Sequence, residues 1–134
     1  MKMFMFLTCL WFCLLGHETQ AHHHNATIYA ADLVDTTLQN IEKKIYRSFV
    51  ASTQETNLST LLAQQKRLEK AVETKTQFAD YWLAYSYYYK SVYHLQKDDE
   101  KNAEISIKEG IKILEQKNSK NAEDLSLLAM LQSF

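Results

Sequence analysis

The sequence predicts an all-α domain, on three observations. It has no proline, and its two glycines are Gly16 and Gly110, whereas average chains carry roughly 7% Gly and 5% Pro. Tight hairpins need Gly or Asn-Gly to reach positive φ, so an all-β or Rossmann-type fold is disfavoured. Apolar residues recur at spacings of three and four beyond residue 26, as on helices with one buried face. The breaks STQETN, KDDEKN and KNSKN are short and polar, which suits antiparallel helical neighbours.

The first helix is expected from about Ala26 to Ala51, with Val34, Leu38, Ile41, Ile45 and Phe49 on one stripe. Asp32 and Asp35 lie towards its start and Lys43, Lys44 and Arg47 towards its end, an order that complements the helix dipole. The second runs from about Leu58 to Lys75, with Asn57 as N-cap and Leu58, Leu61, Leu62, Gln65, Leu68 and Val72 facing inward. The third is the ring-rich stretch from Phe78 to Gln96. The fourth runs from Glu100 to Gln116, capped by Asp98 or Asp99, with Ala103, Ile107, Ile111 and Leu114 inside. Gly110 sits mid-helix, where glycine costs about 1 kcal/mol against alanine, and close approach of a neighbouring helix would account for it. The fifth starts near Ala122 and carries Leu125, Leu128, Ala129 and Phe134. The chain therefore pairs helices one with two and three with four, leaving the fifth without a partner.

Residues 1–21 read as an export signal. Lys2 supplies the positive n-region, Met3 to Leu15 an apolar h-region too short to span a bilayer, and Thr19-Gln20-Ala21 a small-x-small cleavage site. Cleavage is expected after Ala21, with Gly16 as an alternative. Both cysteines, Cys9 and Cys13, lie in this segment, so the mature chain would have no disulfide, cysteine nucleophile or Cys-based zinc site. Residues 22–25 read as a disordered His-rich tail and 26–134 as the helical domain. Export to the periplasm or outside the cell follows, with a bacterial origin favoured. Stable membrane insertion after cleavage is not expected.

Three stretches resemble the tetratricopeptide repeat. ADYWLAYSYYY opens the third helix, NAEISIKEGIKILEQ forms the fourth and AEDLSLLAMLQ opens the fifth. Trp82 and Tyr85-Ser86 stand near the family's first-helix set. Ala103, Ile107 and Gly110 match its second-helix set at spacings of four and three, and Leu125, Leu128 and Ala129 match the first set of a following repeat. The likeness covers Phe78 to Phe134. It departs from the family in a repeat of about 43 residues against about 34, in the missing terminal proline, and in the absence of a signature over the first two helices. The resemblance implies stacked hairpins in a short solenoid, a concave groove lined by first helices, binding of peptides or proteins, and no catalysis.

Seven of the chain's ten tyrosines and tryptophans fall between Asp80 and Gln96. On a wheel of about 100° per residue, Phe78, Tyr81, Trp82, Tyr85, Tyr88, Tyr89 and Val92 share an arc expected to be core. The opposite face, with Leu83, Ser86, Tyr87, Lys90 and His94, is expected to meet a neighbouring hairpin or line the groove. Leu83, Tyr87, Lys90 and His94 are therefore the candidate partner-binding residues; a ring, a cation and an imidazole suit an acidic or extended peptide, or a sugar. If the signal is cut after Ala21, His24 is the third mature residue after His22 and His23. An α-amine, two amides and that imidazole can make a square-planar Cu(II) or Ni(II) site; the alternative is a plain polar tail.

Catalytic signatures are missing: HETQAH misses the H-E-x-x-H spacing, and there is no G-x-S-x-G or Gly-rich phosphate loop. The charges nearly cancel, 15 Lys and Arg against 16 Asp and Glu, without the basic stripe of a nucleic-acid binder. The expected function is an exported, non-catalytic module that holds a protein or peptide and needs no cofactor. The alternative is an exported small-ligand or metal binder. The apolar end LSLLAMLQSF lacks the polar outer face of a terminal solenoid helix, which suggests a longer chain, a homodimer through the last helix, or a helix folded over the open edge.

Overall fold

The computed structural model describes residues 38–134, which form one compact unit. Within it are five helices and no strand: α1 (Ile41–Gln54), α2 (Ser59–Glu73), α3 (Ala79–Leu95), α4 (Glu100–Glu115) and α5 (Ala122–Gln132). The export signal, the His22-His23-His24 run and the part of the first helix before residue 38 lie outside the described residues. Among the described residues, no helix is long and apolar enough to cross a membrane.

Helical hairpins stack in chain order. α1 packs on α2, and α3 packs most extensively on α4. The first helix of each hairpin also meets the next: α1 touches α3, and α3 touches α5. α3 is the shared wall between two cores. Leu83 joins Ile41, Ile45, Leu61 and Leu68 on one side. Ala84 joins Leu114, Leu127 and Leu131 on the other. A helix with buried neighbours on two flanks has little room for a polar face, which accounts for the sparse charge along ADYWLAYSYYY.

One boundary differs from the sequence expectation. The continuous helix expected over 26–51 is interrupted at Asn40, which has φ 55 and precedes a helix that begins at Ile41 and runs on to Gln54. Asparagine is among the few non-glycine residues that tolerate the left-handed region. The apolar spacing of Leu38, Ile41 and Ile45 therefore passes through a turn that periodicity alone does not show.

Three connections end their helices in the same way without glycine. After α1, Thr56 (φ 57) is left-handed, its N–H donates to the Thr53 carbonyl, and Asn57 N–H donates to the Ser52 carbonyl. After α2, Lys75 (φ 56) donates to Val72 and Thr76 to Ala71; after α3, Asp98 (φ 56) donates to Leu95 and Asp99 to His94. This is the paired Schellman pattern, usually built on glycine. The fourth connection has no such residue. There the Lys120 ammonium donates to the carbonyls of Glu115 and Lys117, 3.1 and 2.9 Å away. A β-branched residue in the left-handed region is strained. Thr56→Gly is therefore expected to raise stability by about 0.5–1 kcal/mol, the left-handed penalty less glycine's extra chain entropy, read as a higher urea midpoint with an unchanged slope.

The helix starts are satisfied in several ways. Ser52, fully buried at the end of α1, accepts from Leu61 N–H in the first turn of α2 at 3.1 Å. Asn57 lies one residue before the N-cap Leu58 and accepts from Ser59 N–H. Asp99, not Asp98, caps α4 by accepting from Asn102 N–H. Asn102 also holds the Asp99 carboxyl below its ordinary range, aided by His94. α5 starts with a reciprocal capping box between Asn121 and Asp124.

Gly110 meets the expectation of close approach. A Cβ there would lie 3.1 Å from Leu131 Cδ1 and 3.4 Å from both the Ala84 carbonyl oxygen and Tyr87 Cβ. α3, α4 and α5 converge at this point.

Candidate functional site

The face of α3 opposite the ring arc meets neighbouring helices, the first of the two outcomes expected for it, while the ring arc expected to be core packs at the edges of both cores. Ala79, Leu83, Ala84, Ser86 and Ser91 are buried, while the rings of Tyr81, Trp82, Tyr85, Tyr88 and Tyr89 are only half-buried and Phe78 is exposed. Gly110 lets the α3 backbone at Ala84 and the Tyr87 Cβ come within contact of α4, and of the α3 tyrosine and tryptophan rings Tyr93 alone is buried. Ser86 and Ser91 donate to carbonyls of their own helix, Leu83 and Tyr88, each at 2.7 Å. Their buried hydroxyls are thereby satisfied locally.

The candidate partner residues Leu83, Tyr87, Lys90 and His94 consequently do not form an open face. Leu83 is core, with 6% exposure. Tyr87 packs against the same cluster beside Gly110, and the Lys90 ammonium lies 5.5 Å from its ring centre. Burial, then Glu69 and Glu109, raise the Tyr87 phenol above its ordinary range. His94 Nδ1 lies 3.1 Å from Asp99 Oδ2, tying the end of α3 to the cap of α4. The signal that could have marked this face as interior is Leu83 and Ser86 amid its polar residues, opposite the mid-helix Gly110 that Tyr87 meets.

The rings instead form a ladder across the first helices. Phe49 of α1 stands 5.0 Å from Tyr89, and Tyr46 stands 6.0 Å from it edge-on. Tyr89 meets Tyr85 and Tyr88 edge-on at 5.2 and 5.3 Å. Tyr81, Tyr85 and Tyr88 run nearly parallel at successive 6.2 Å steps. Trp82 closes on Tyr81 at 4.9 Å, and Phe134 reaches Tyr88 at 5.6 Å. Such offset and edge-on pairs are the favoured ring geometries, so the ladder holds itself in place, with Tyr46 and Phe134 exposed at its ends and the tyrosines between them partly buried against the two cores.

Two adjoining clefts lie between α3 and α5. One of about 290 Å³ is lined by Tyr81, Tyr85, Ala122, Glu123, Ser126, Leu127 and Met130. The other, about 360 Å³, is lined by Phe78, Tyr81, Trp82, Asn121 and Glu123. A wider cleft of about 580 Å³ lies across α4 and α5 and carries Glu100, Glu104 and Lys108 among apolar residues.

Lys117 sets the spacing of α3 and α5. Its ammonium lies 2.7 Å from Asp124 Oδ1 and 3.3 Å from Asp80 Oδ2. Burial alone would lower its pKa, but Asp124 and Asp80 outweigh it and the result is raised. Tyr81 is raised by burial, then by Glu123, Glu42 and Asp124. Tyr89 is raised furthest, by burial and then its bond with Tyr85.

These shifts have one sign. Tyrosine and lysine whose folded pKa is raised contribute stability that is intact below their unfolded values, 10.0 and 10.5, and lost as pH climbs through the folded ones. Stability is therefore expected to be flat with respect to these groups through neutral pH and to fall above pH 10.0, the unfolded tyrosine value. Some phenols should ionise only as the helices melt, seen by tyrosinate absorbance and circular dichroism in one titration.

Chemically, the ladder offers ring faces and carboxylates. Among the described residues, no three His, Cys, Asp or Glu side chains group to hold a metal. The His22, His23 and His24 site lies outside the described residues. No family model matches the chain, and no curated protein or solved structure is significantly similar to it.

Proposed function

We propose that this chain is an exported, non-catalytic helical-repeat module of the tetratricopeptide type, which holds a polypeptide partner in the cell envelope or outside the cell. The observation that carries this reading is the ring ladder crossing α1 and α3 to Phe134, with Tyr46 and Phe134 exposed at its ends. Rigid tyrosines and tryptophan supply large contact area at low entropic cost, and exposed clustered rings are typical anchors of a binding surface. The contact surface in this proposal is the ladder, not the Leu83 face.

Site-specific photo-crosslinking in cells tests it. A benzoylphenylalanine at Tyr88 or Tyr46 is expected to trap a discrete protein adduct, and one at exposed Lys66 on α2 is not. Equal labelling from all three positions, or none from the ladder, overturns the reading. Exposed Leu125 and Phe134 make α5 the surface where a second copy would dock. A strictly monomeric mature chain by light scattering removes that part of the proposal.

A further inference from the structure

We infer that the cleft at the start of α3 is an aromatic cage for a basic side chain, an arginine or lysine of the bound polypeptide. The inference rests on the reading that the ladder receives a polypeptide, and it names what the partner must present.

The cleft of about 360 Å³ has rings from Phe78, Tyr81 and Trp82 and a single acidic side chain, Glu123. Aromatic faces attract cations through the ring quadrupole, and a carboxylate at the same wall adds direct charge pairing. Phe78 has an unusual backbone: it is left-handed at φ 62, and its side chain stays 49% exposed. A bulky residue in that region is an outlier, and here it leaves a ring open at the mouth of the cleft, one turn before Trp82.

The surrounding charges favour a cation. The N-termini of α3 and α5 carry partial positive charge, but Asp80, Glu123 and Asp124 occupy their first turns. Lys117 is paired with Asp80 and Asp124, and Lys120 with carbonyls at the end of α4. Glu123 is left exposed and outside these pairs.

A pair of isosteric peptides tests the cage. With Trp11→Phe in the full chain, Trp82 is the only indole and reports on the cleft by fluorescence. Capped Ala-Ala-Arg-Ala-Ala is expected to bind about tenfold more tightly than its citrulline counterpart, a preference that weakens with salt. Glu123→Gln, at an exposed position, should remove most of that preference without changing the helical spectrum, and Phe78→Ala should weaken arginine binding several-fold. Equal binding of the two peptides, binding of neither, or an unchanged preference in Glu123→Gln overturns the cage. A chain that crosslinks through Tyr88 but does not distinguish the peptides keeps the polypeptide reading and loses this one. A chain that prefers arginine but crosslinks nothing does the reverse.

Discussion

Replacing Lys117 with methionine is expected to destabilise the domain by about 3 kcal/mol, the lower end for removing one partner of a buried ion pair. Asp124 has 1% exposure. Its Oδ2 accepts from Asn121 N–H at 3.0 Å, while its Oδ1 faces the Lys117 ammonium. Without that ammonium, one buried carboxylate keeps its capping bond but has no counter-charge. Methionine retains most of the apolar stem, so the loss reports charge rather than volume. For a domain of this size the melting temperature should fall by roughly 12–24 °C. Adding Asp124→Asn should recover a large part of the loss, because the amide oxygen still accepts from Asn121 and no buried charge remains. Hydrogen exchange should show α5 opening first, as a sub-global unit. A cost below about 1 kcal/mol in urea titration would place the pair among ordinary surface ion pairs and contradict the assignment of Lys117 as the lock of α5.

Leu83→Ala is expected to cost about 3 kcal/mol, within the range for emptying a well-packed leucine site. Leu83 touches the cluster of Ile41, Ile45, Leu61 and Leu68, drawn from α1 and α2, so the hole opens between three helices and cannot close by moving one side chain. Tyr88→Ala should cost less, about 1–2 kcal/mol, since its ring lies partly exposed at the edge of the second core and its other neighbours are rings that can resettle. The contrast discriminates the two faces of α3. If the ring arc were the core, the order would reverse, and Tyr88→Ala would be the variant that unfolds. Measured with partner crosslinking, Tyr88→Ala should lose adduct while remaining folded.

The helices were legible because they depend on local rules. Spacings of three and four placed α2 to α5 to within a residue or two, and Asp99 and Asn121 stand where side-chain caps are needed. The left-handed positions were not legible. Thr56, Lys75 and Phe78 lack the glycine or asparagine that announces such a turn, and the surrounding packing holds them there. The interruption at Asn40 was missed because Leu38, Ile41 and Ile45 keep a helical rhythm across it.

The candidate site shows the same division more sharply. The sequence by itself determined that α3 has two unlike faces, one of rings and one with Leu83, Ser86, Tyr87, Lys90 and His94. It also marked Gly110 as a close approach. It did not determine which face is interior. Ring size suggests burial, and for a helix with one neighbour that inference is sound. α3 has neighbours on two flanks, with Leu83 in one core and Ala84 in the other. Close contact with α4 at Gly110 is made by the Ala84 carbonyl and the Tyr87 Cβ. The arc of rings lies along the edges of both cores, where the rings also pack on one another, and only the tertiary arrangement, which joins Phe49, Tyr89, Tyr88 and Phe134 from distant parts of the chain, makes a continuous ladder of them.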